Sequence, residues 1–540
     1  MENQESIGPK EEDHNEGQKN EAGRALIRHG SMLSLLTLIS RVLGLVREMT
    51  KASLLGTTAL SDAFSVAFMI PNLLRRLFAE GSIAAAFIPT FKEYLLEADK
   101  KKTKEFLCCF FTFLTFAVTL TVMIGILITP LVVPLFGLEE FDETVFLTRL
   151  MFPFLALISI AAFFQGILNS LKIFSPSGLA PILLNIAAIL CAYGLKDHVG
   201  NPARAMAVGI LIGGFLECAI QLPFVLKEGQ RFFFTGIKKA FFNAGTRKVL
   251  ILIGPTILGM AAYQINDLVS TALAGNAGEG VVSSLQYSLR MQELLLGIFA
   301  VSIGTVLLPD LAEHAKSLKW DIFTERLVSA LNIIAFITIP ITFFFIARGA
   351  SLIRLLFESH SFNEESVSLT LRAFNFHMPG LYFIALNRIL APAFYAQSNS
   401  KSPTFAGLIS FGVNIAAASI LVGPFKGSGI AFALSLASFV NTVFLLIFLK
   451  KNPMIPMAKV LKSAIFYSAK LILLSAIAVI PILFIGPHLE TLFSGHGRII
   501  SLGLPLMLLA ILYAAVGVVL LLVSRDKQLF RIIKMLKKSQ

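Results

Sequence analysis

Charge is scarce in this chain. Asp, Glu, Lys and Arg make up 15% of its 540 residues, against roughly 25% in soluble domains, and this excludes a string of water-soluble domains. Tryptophan occurs once and cysteine four times. Cys108, Cys109, Cys191 and Cys218 all lie in apolar stretches, and none stands at metal-ligand spacing with a histidine. A disulfide framework and a zinc site are therefore excluded. The histidines are scattered: His29, His314, His360 and His377 are not spaced as ligands, and His377, beside Pro379, reads as a satisfied helix residue. There is no Walker loop, no His-Glu-x-x-His and no nucleophile elbow, so no NTPase or hydrolase motif competes for the reading. Residues 1–28 are polar and of mixed charge, without the apolar core of a secretory signal. They read as a disordered tail.

What the chain does have is apolar length. Hydrophobic residues are 56% of it, and 48 are Phe. Apolar windows centre near residues 40, 74, 118, 158, 187, 215, 260, 298, 336, 382, 412, 438, 475 and 512, each long enough for a membrane-crossing helix of about 20 residues. The fold class is an all-α polytopic membrane protein of about fourteen transmembrane helices. The second span is interrupted by Pro71 and Gly81 and is expected to bend.

The net charge of +13 does not indicate nucleic acid, because the basic residues sit in short connections on alternate sides. One side, which includes both termini, carries about 30 Lys and Arg, and the other about six. Both termini are expected in the cytoplasm. In the basic loop 227–248, Phe232, Phe233, Phe234, Phe241 and Phe242 lie among Lys238, Lys239, Arg247 and Lys248. This pattern fits either an interfacial amphipathic helix or a solvated linker.

The chain repeats itself. Ser82-Ile83, Pro89 and Glu93 recur as Ser302-Ile303, Pro309 and Glu313, and Asn169-Ser170 with Asn185-Ile-Ala-Ala recur as Asn399-Ser400 with Asn414-Ile-Ala-Ala. Two matches in one order at similar offsets imply two six-helix lobes in parallel orientation, a design that commonly binds substrate at the repeat interface. The organisation expected is a tail at 1–28, an N-lobe at 29–228, an amphipathic linker at 229–248, a C-lobe at 249–450, and two further helices with a basic tail at 451–540.

Charges at membrane depth carry the functional reading, because each costs about 2.5–3.5 kcal/mol on insertion scales. Arg41, Arg47 and Glu48 fall on span one, Asp62, Arg75, Arg76 and Glu80 on span two, and Arg290 and Glu293 on span eight. Glu217, Asp267, Arg372, Arg388 and Lys470 are more isolated. Some of these are explained as intrahelical pairs or interface charges. The arginines nevertheless outnumber their obvious acidic partners, and guanidinium is shaped and charged for phosphate. A cationic cavity in an apolar shell fits an amphipathic anion such as a lipid-linked diphosphate and disfavours a cationic drug.

Ser40-Arg41-Val42-Leu43-Gly44, Arg47, Asp62-Ala63-Phe64, the run from Pro71-Asn72 through Arg75-Arg76 to Glu80-Gly81, and Ala86-Phe87-Ile88-Pro89 closely resemble the MurJ (MviN) family of lipid II flippases. Arg290 with Glu293 before Gly304–Pro309, and the segment Arg388–Ala396, also look like that family. The resemblance spans roughly residues 30–525. It implies two six-helix lobes, a final helix pair forming a lipid-facing groove, and alternating access to a central cationic cavity. Matched by position, the substrate-binding residues would be Arg41, Arg47, Arg75, Arg290, Asn72, Ser40 and Ser283, with Asp62, Arg76, Glu80, Glu293 and Arg388 as supporting charges. The acidic residue after Arg47 is Glu48, where Asp is expected in some relatives. Some members are held to bind sodium through acidic and amide groups. Asp267 and Asn414 are the candidates here, while Ala418 stands one turn on, where another ligand is expected.

The function this implies is flipping of lipid-linked peptidoglycan precursor from the cytoplasmic to the outer leaflet of the inner membrane. No cofactor is expected, and membrane potential or Na+ would drive transport. A monomer among membrane lipids, working beside the cell-wall synthesis machinery, is the expected setting. The alternatives are an exporter of another lipid-linked oligosaccharide, a drug exporter, or a non-transporting membrane scaffold.

Overall fold

In lipid a backbone can satisfy its hydrogen bonds only within a helix or a closed barrel, and the computed structural model shows the first solution. It describes residues 32, 35–76, 86–97 and 99–538, and none of these is in a strand. The polar tail read at 1–28, the Ser82-Ile83 half of the repeat, and Glu80 lie outside the described residues. In chain order the helices are α1 (35–55), α2 (Ala59–Arg75), α3 (Ile88–Leu96), α4 (Lys100–Val132), α5 (Phe141–Met151), α6 (Pro153–Ser170), α7 (Ser175–Leu195), α8 (Pro202–Lys227) and α9 (Ile237–Phe242). They continue as α10 (Ala244–Gly275), α11 (Val281–Lys316), α12 (Trp320–Phe357), α13 (Glu364–Tyr395), α14 (Lys401–Leu449), α15 (Met457–Leu492), α16 (Leu504–Val523) and α17 (Lys527–Lys538).

Among the described residues, eight helical stretches are long and apolar enough to cross a membrane. In the most apolar stretch, Ile499–Val523, only 22% of its 18-residue apolar window is buried in protein, so its surface is made for lipid. The chain is an integral membrane protein. Helix α14 is 49 residues long, roughly 73 Å at 1.5 Å per residue, more than twice a hydrocarbon core of about 30 Å. It turns at Lys426, where φ is 48° and ψ −130°, two residues after Pro424. The two spans read around 412 and 438 are the two arms of this bend. Gly429 permits it: a Cβ there would stand 2.4 Å from the Leu421 carbonyl oxygen.

The chain divides into two units. The first contains the described residues of Met1–Thr50, Ala67–Thr129 and Phe146–Met260. Its core is aromatic: the Phe87 ring lies 5.5 Å from Phe91, 4.9 Å from Phe110 and 5.3 Å from Phe163. The basic loop joins this core. The Phe232 ring packs 4.7 Å from Phe111 and 5.4 Å from Phe164, and the Phe233 and Thr235 amides donate to Cys108 Sγ and Thr112 Oγ1 on α4. One amphipathic helix across 227–248 does not form, because Phe232 is drawn inward and the segment before Gly236 is bonded to α4 instead of to itself. Between the end of α8 at Lys227 and the start of α10 at Ala244, the helical residues are the six of α9, with Phe242 exposed.

The second unit contains Lys51–Val66, Pro130–Val145 and the described residues from Ala261 onward. Helices α12, α13, α15 and α16 pack there. Tyr513 donates to the Pro340 carbonyl at 3.0 Å, satisfying an acceptor on the proline-containing α12. Arg348 breaks the α12 helical geometry and donates to the Ile482 carbonyl at 2.7 Å, with Glu490 at 3.5 Å. Gly486 makes room for it: a Cβ would sit 0.9 Å from Arg348 Nη2. Lys470, isolated in the sequence, pairs at 2.7 Å with Asp526, whose side chain is 1% exposed. Asp526 also accepts from the Gln528 and Leu529 amides at the start of α17. Removing one partner of a fully buried pair costs roughly 3–5 kcal/mol, and the 31% exposure of Lys470 places this pair below that range. Lys470→Met is therefore expected to lower the thermal unfolding midpoint of the purified protein by several degrees. An unchanged midpoint would show the pair to be incidental.

Candidate functional site

The sequence-derived residues fall into separate groups. In the first unit, Arg47 is half-buried, pairs with Glu48 at 3.1 Å and lies over the Phe68 ring at 5.7 Å, a cation–π arrangement that places its guanidinium against α2. On α2, Arg75 Nε donates to Asn72 Oδ1 at 2.7 Å, one helical turn back. That bond sets the plane of the guanidinium. Arg76 is half-buried beside it. Arg41 and Arg47 are six residues apart, which separates them by about 120° around α1. Arg41 turns accordingly to another neighbourhood. With Ser40 it lines a cavity of about 260 Å³ together with Gln165 and Asn169 of α6 and Ser177 of α7. The Ser40 carbonyl accepts from Asn185 Nδ2 at 3.4 Å.

In the second unit Asp62 and Ser283 are brought together, and the reason is helix capping. The α11 N-cap is Gly280, left-handed at φ 75° and without a side chain of its own to cap with. Asp62 supplies the cap: the Gly280 amide donates to Oδ2 and the Ser283 amide to Oδ1, both at 2.8 Å. A negative charge there also meets the positive end of the helix dipole. Asp62 is 2% exposed and Ser283 fully buried, so in this conformation both are structural contacts out of reach of a solute. Residue 280 must be glycine on two counts, its positive φ and a Cβ position 2.4 Å from the Thr57 carbonyl oxygen.

Lys51 was not singled out from the sequence, yet it is buried in the same neighbourhood. It donates to Ser65 Oγ at 2.5 Å and Gln286 Oε1 at 3.1 Å, over the Tyr287 ring at 4.8 Å. The Tyr287 hydroxyl donates to the Gly56 carbonyl at 3.0 Å, and Thr57 and Ser366 hydroxyls meet at 2.8 Å. The available signal was a lysine at the end of an apolar span with no acid one turn onward.

Arg290 pairs with Glu293 at 3.3 Å on an exposed edge of α11, and its Nε is buried without a partner among the described residues. Arg388 is exposed on α13. His377 is fully enclosed: its Nδ1 meets Ser288 Oγ at 2.6 Å and Gln292 donates to its carbonyl, as read for a satisfied histidine.

For the sodium candidates, Asn414 Nδ2 donates to Asn266 Oδ1 at 2.9 Å and to Ser270 Oγ at 3.0 Å. Its Oδ1 is buried without a partner among the described residues, an oxygen ligand of the kind hard cations accept. Asp267 is half-buried one residue from Asn266. No group of three or more His, Cys, Asp or Glu among the described residues would hold a metal.

Known proteins resemble the chain throughout. A family model described as lipid II flippase MurJ matches residues 51–522. A probable lipid II flippase MurJ of Treponema pallidum is 46% identical over 519 residues, covering 95% of this chain and 98% of that protein. The lipid II flippase MurJ of Burkholderia cenocepacia is 32% identical, over 78% of this chain and 83% of that one. Among solved structures, a lipid II flippase MurJ in an inward closed conformation superposes with a TM-score of 0.75 at 26% identity, covering 92% of this chain and 99% of that one. An inward-facing multidrug resistance MATE transporter of the MOP superfamily shares the fold alone, with a TM-score of 0.60 at 14% identity. The family is one of lipid transporters and not of enzymes, and this chain, matched along nearly its whole length, belongs to the MurJ lipid II flippase family.

Proposed function

We propose that this protein flips lipid-linked peptidoglycan precursor, lipid II, from the cytoplasmic to the outer leaflet of the inner membrane. Family membership supports the substrate class. The observation that supports the chemistry is that guanidinium groups on apolar helices are held in place, Arg75 oriented by Asn72 and Arg47 held against Phe68. In this reading Arg47, Arg75 and Arg290 exchange for the hydration shell of the diphosphate, and a cationic cavity opens in turn to the two sides of the membrane. Fourteen crossings leave both termini in the cytoplasm, in line with the Lys and Arg bias. Membrane potential or a sodium gradient drives the cycle. Asp267 and Asn414 are the groups that would hold sodium, a hard ion that oxygen ligands suit.

The deciding experiment is precursor translocation in cells depleted of their own flippase and supplied with this chain. Restored translocation is expected. Failure of the well-expressed protein to restore it, with transport of another lipid-linked oligosaccharide, would move the substrate within the same diphosphate chemistry. The orientation has its own test, using cysteines placed at the exposed positions Lys238 and His360. A membrane-impermeant thiol reagent added outside is expected to label position 360 and to miss position 238. Labelling at 238 would reverse the topology.

A further inference from the structure

The last helix of the chain, α17, carries a charge pattern that the transport cycle does not use. Five of its 12 residues are Lys or Arg, and none is Asp or Glu. At about 100° per residue, positions 527, 531, 534 and 538 fall within an arc of about 60°, and the sequence puts Lys, Arg, Lys and Lys there. Positions 529, 532, 533 and 536 fall within the opposite arc of about 100°, and they hold Leu, Ile, Ile and Leu. The structure agrees with this division. Lys527, Arg531 and Lys534 are exposed, whereas Leu529 is buried in one cluster with Ala335 and Ile339 of α12, Leu471 of α15 and Leu521 of α16.

The level at which α17 begins follows from the helix before it. Helix α16 is 20 residues long, about 30 Å, which matches the hydrocarbon core of a bilayer. The chain therefore leaves α16 at headgroup level. Arg525, left-handed at φ 48°, closes α16 there. Its amide donates to the Leu522 carbonyl at 3.0 Å and the Asp526 amide to the Leu521 carbonyl at 2.9 Å, the pairing of a Schellman cap. Asp526 then starts α17 and ties it to α15. Its Oδ1 accepts from the Gln528 and Leu529 amides and from the Tyr467 hydroxyl, and its Oδ2 from Lys470 Nζ. Asp526 is 1% exposed, so the acid nearest to the basic arc is already engaged and does not neutralise it.

We propose that α17 docks on the anionic phospholipid surface of the leaflet that it borders, with the basic arc as the contact. A helix of this kind at the edge of a bilayer sets its apolar side toward the acyl boundary, while Lys and Arg extend to the headgroups. Clustered cations next to a membrane span are matched by anionic lipid. An acidic protein or a nucleic acid would satisfy the charge, but neither would account for an apolar arc starting at headgroup level. The contact would steady the α15–α16 connection through Asp526 and Leu529. It goes beyond the flippase reading and holds whichever side of the membrane α17 faces.

The test is hydrogen exchange of the full chain in nanodiscs of phosphatidylcholine and in nanodiscs enriched in phosphatidylglycerol. Protection of amides 527–538 is expected to rise at least tenfold with the anionic lipid, since each Lys or Arg near such a surface contributes about fivefold. High salt is expected to shrink the rise. Lys527→Gln with Arg531→Gln and Lys534→Gln is expected to remove it, and Lys527→Arg with Lys534→Arg to keep it. Amides 280–284, at the start of α11, are expected to be equally protected in both lipids. Equal protection of α17 in the two lipids overturns the inference. So does a rise that persists in the glutamine variant, or one that is lost in the arginine variant. Stronger protection by soluble polyglutamate or an RNA oligonucleotide than by phosphatidylglycerol also overturns it, because the arc would then serve a soluble partner.

Discussion

Arg75→Ala is expected to abolish complementation of a flippase-depleted strain while protein level and thermal midpoint stay near wild type. Arg75 is half-buried on α2 and its Nε is tied to Asn72 Oδ1 at 2.7 Å, so the guanidinium is oriented before any ligand arrives. A diphosphate gives up a strong hydration shell on entering an apolar site, and only groups that offer several donors in a fixed plane return that energy. Each charge-assisted contact contributes about 1.5–3 kcal/mol. Arg75→Lys keeps the charge and loses the fork, and binding of a polyprenyl diphosphate should fall at least tenfold. Asn72→Leu keeps the arginine and frees its plane, with a smaller loss of similar kind. Arg290→Ala follows the same logic. Arg47 needs a different variant, because Arg47→Ala would also take away the cation that stands 3.1 Å from the half-buried carboxylate of Glu48. Arg47→Ala with Glu48→Gln removes both charges and isolates the ligand effect. Well-expressed variants that complement and still bind the diphosphate would take the arginines out of transport and restore the scaffold reading.

How much of this was legible in the sequence depended on the distance between partners. Features set by neighbours were readable. The two arms of α14 follow from apolar length on either side of Pro424, and the Arg290–Glu293 pair follows from helical spacing. Partners far apart in the chain were not readable. Lys470 looked isolated because Asp526 lies 56 residues on, well beyond the reach of a helical turn. Phe232 fitted an interfacial amphipathic helix or a solvated linker by pattern, yet the aromatic core formed by α4 and α6 was the stronger competitor for its ring. Lys51 offered only the lack of an acid one turn onward, which names no partner, since Ser65 and Gln286 meet it only when α1, α2 and α11 come together. Arg41 and Arg47 read as one cluster in a list of charges, and the 120° between them around α1 is visible only once each is given its neighbours.

The same long-range logic makes Asp62 the residue whose loss should be felt most in stability. Its carboxylate is 2% exposed and accepts the Gly280 and Ser283 amides, each at 2.8 Å. It thereby caps a 36-residue helix from a position more than two hundred residues earlier. An ordinary N-cap contributes about 0.5–2 kcal/mol, a buried charged acceptor adds to each bond, and the α11 dipole favours the anion. Asp62→Ala is thus expected to cost about 3 kcal/mol, because it removes the acceptor and leaves two buried amides without a partner. Asp62→Asn retains one acceptor oxygen but turns an NH2 group toward the other amide, so it should lie between Ala and wild type. Asp62→Glu has the charge but one methylene too many for a fully packed site, and is expected to destabilise through its size. Hydrogen exchange distinguishes a lost cap from general softening. The amides of residues 280–284 should lose protection in Asp62→Ala, whereas those around the Lys470–Asp526 pair should keep it. A variant with an unchanged melting temperature and unchanged exchange at 280–284 would show that water or a neighbouring hydroxyl caps α11 equally well.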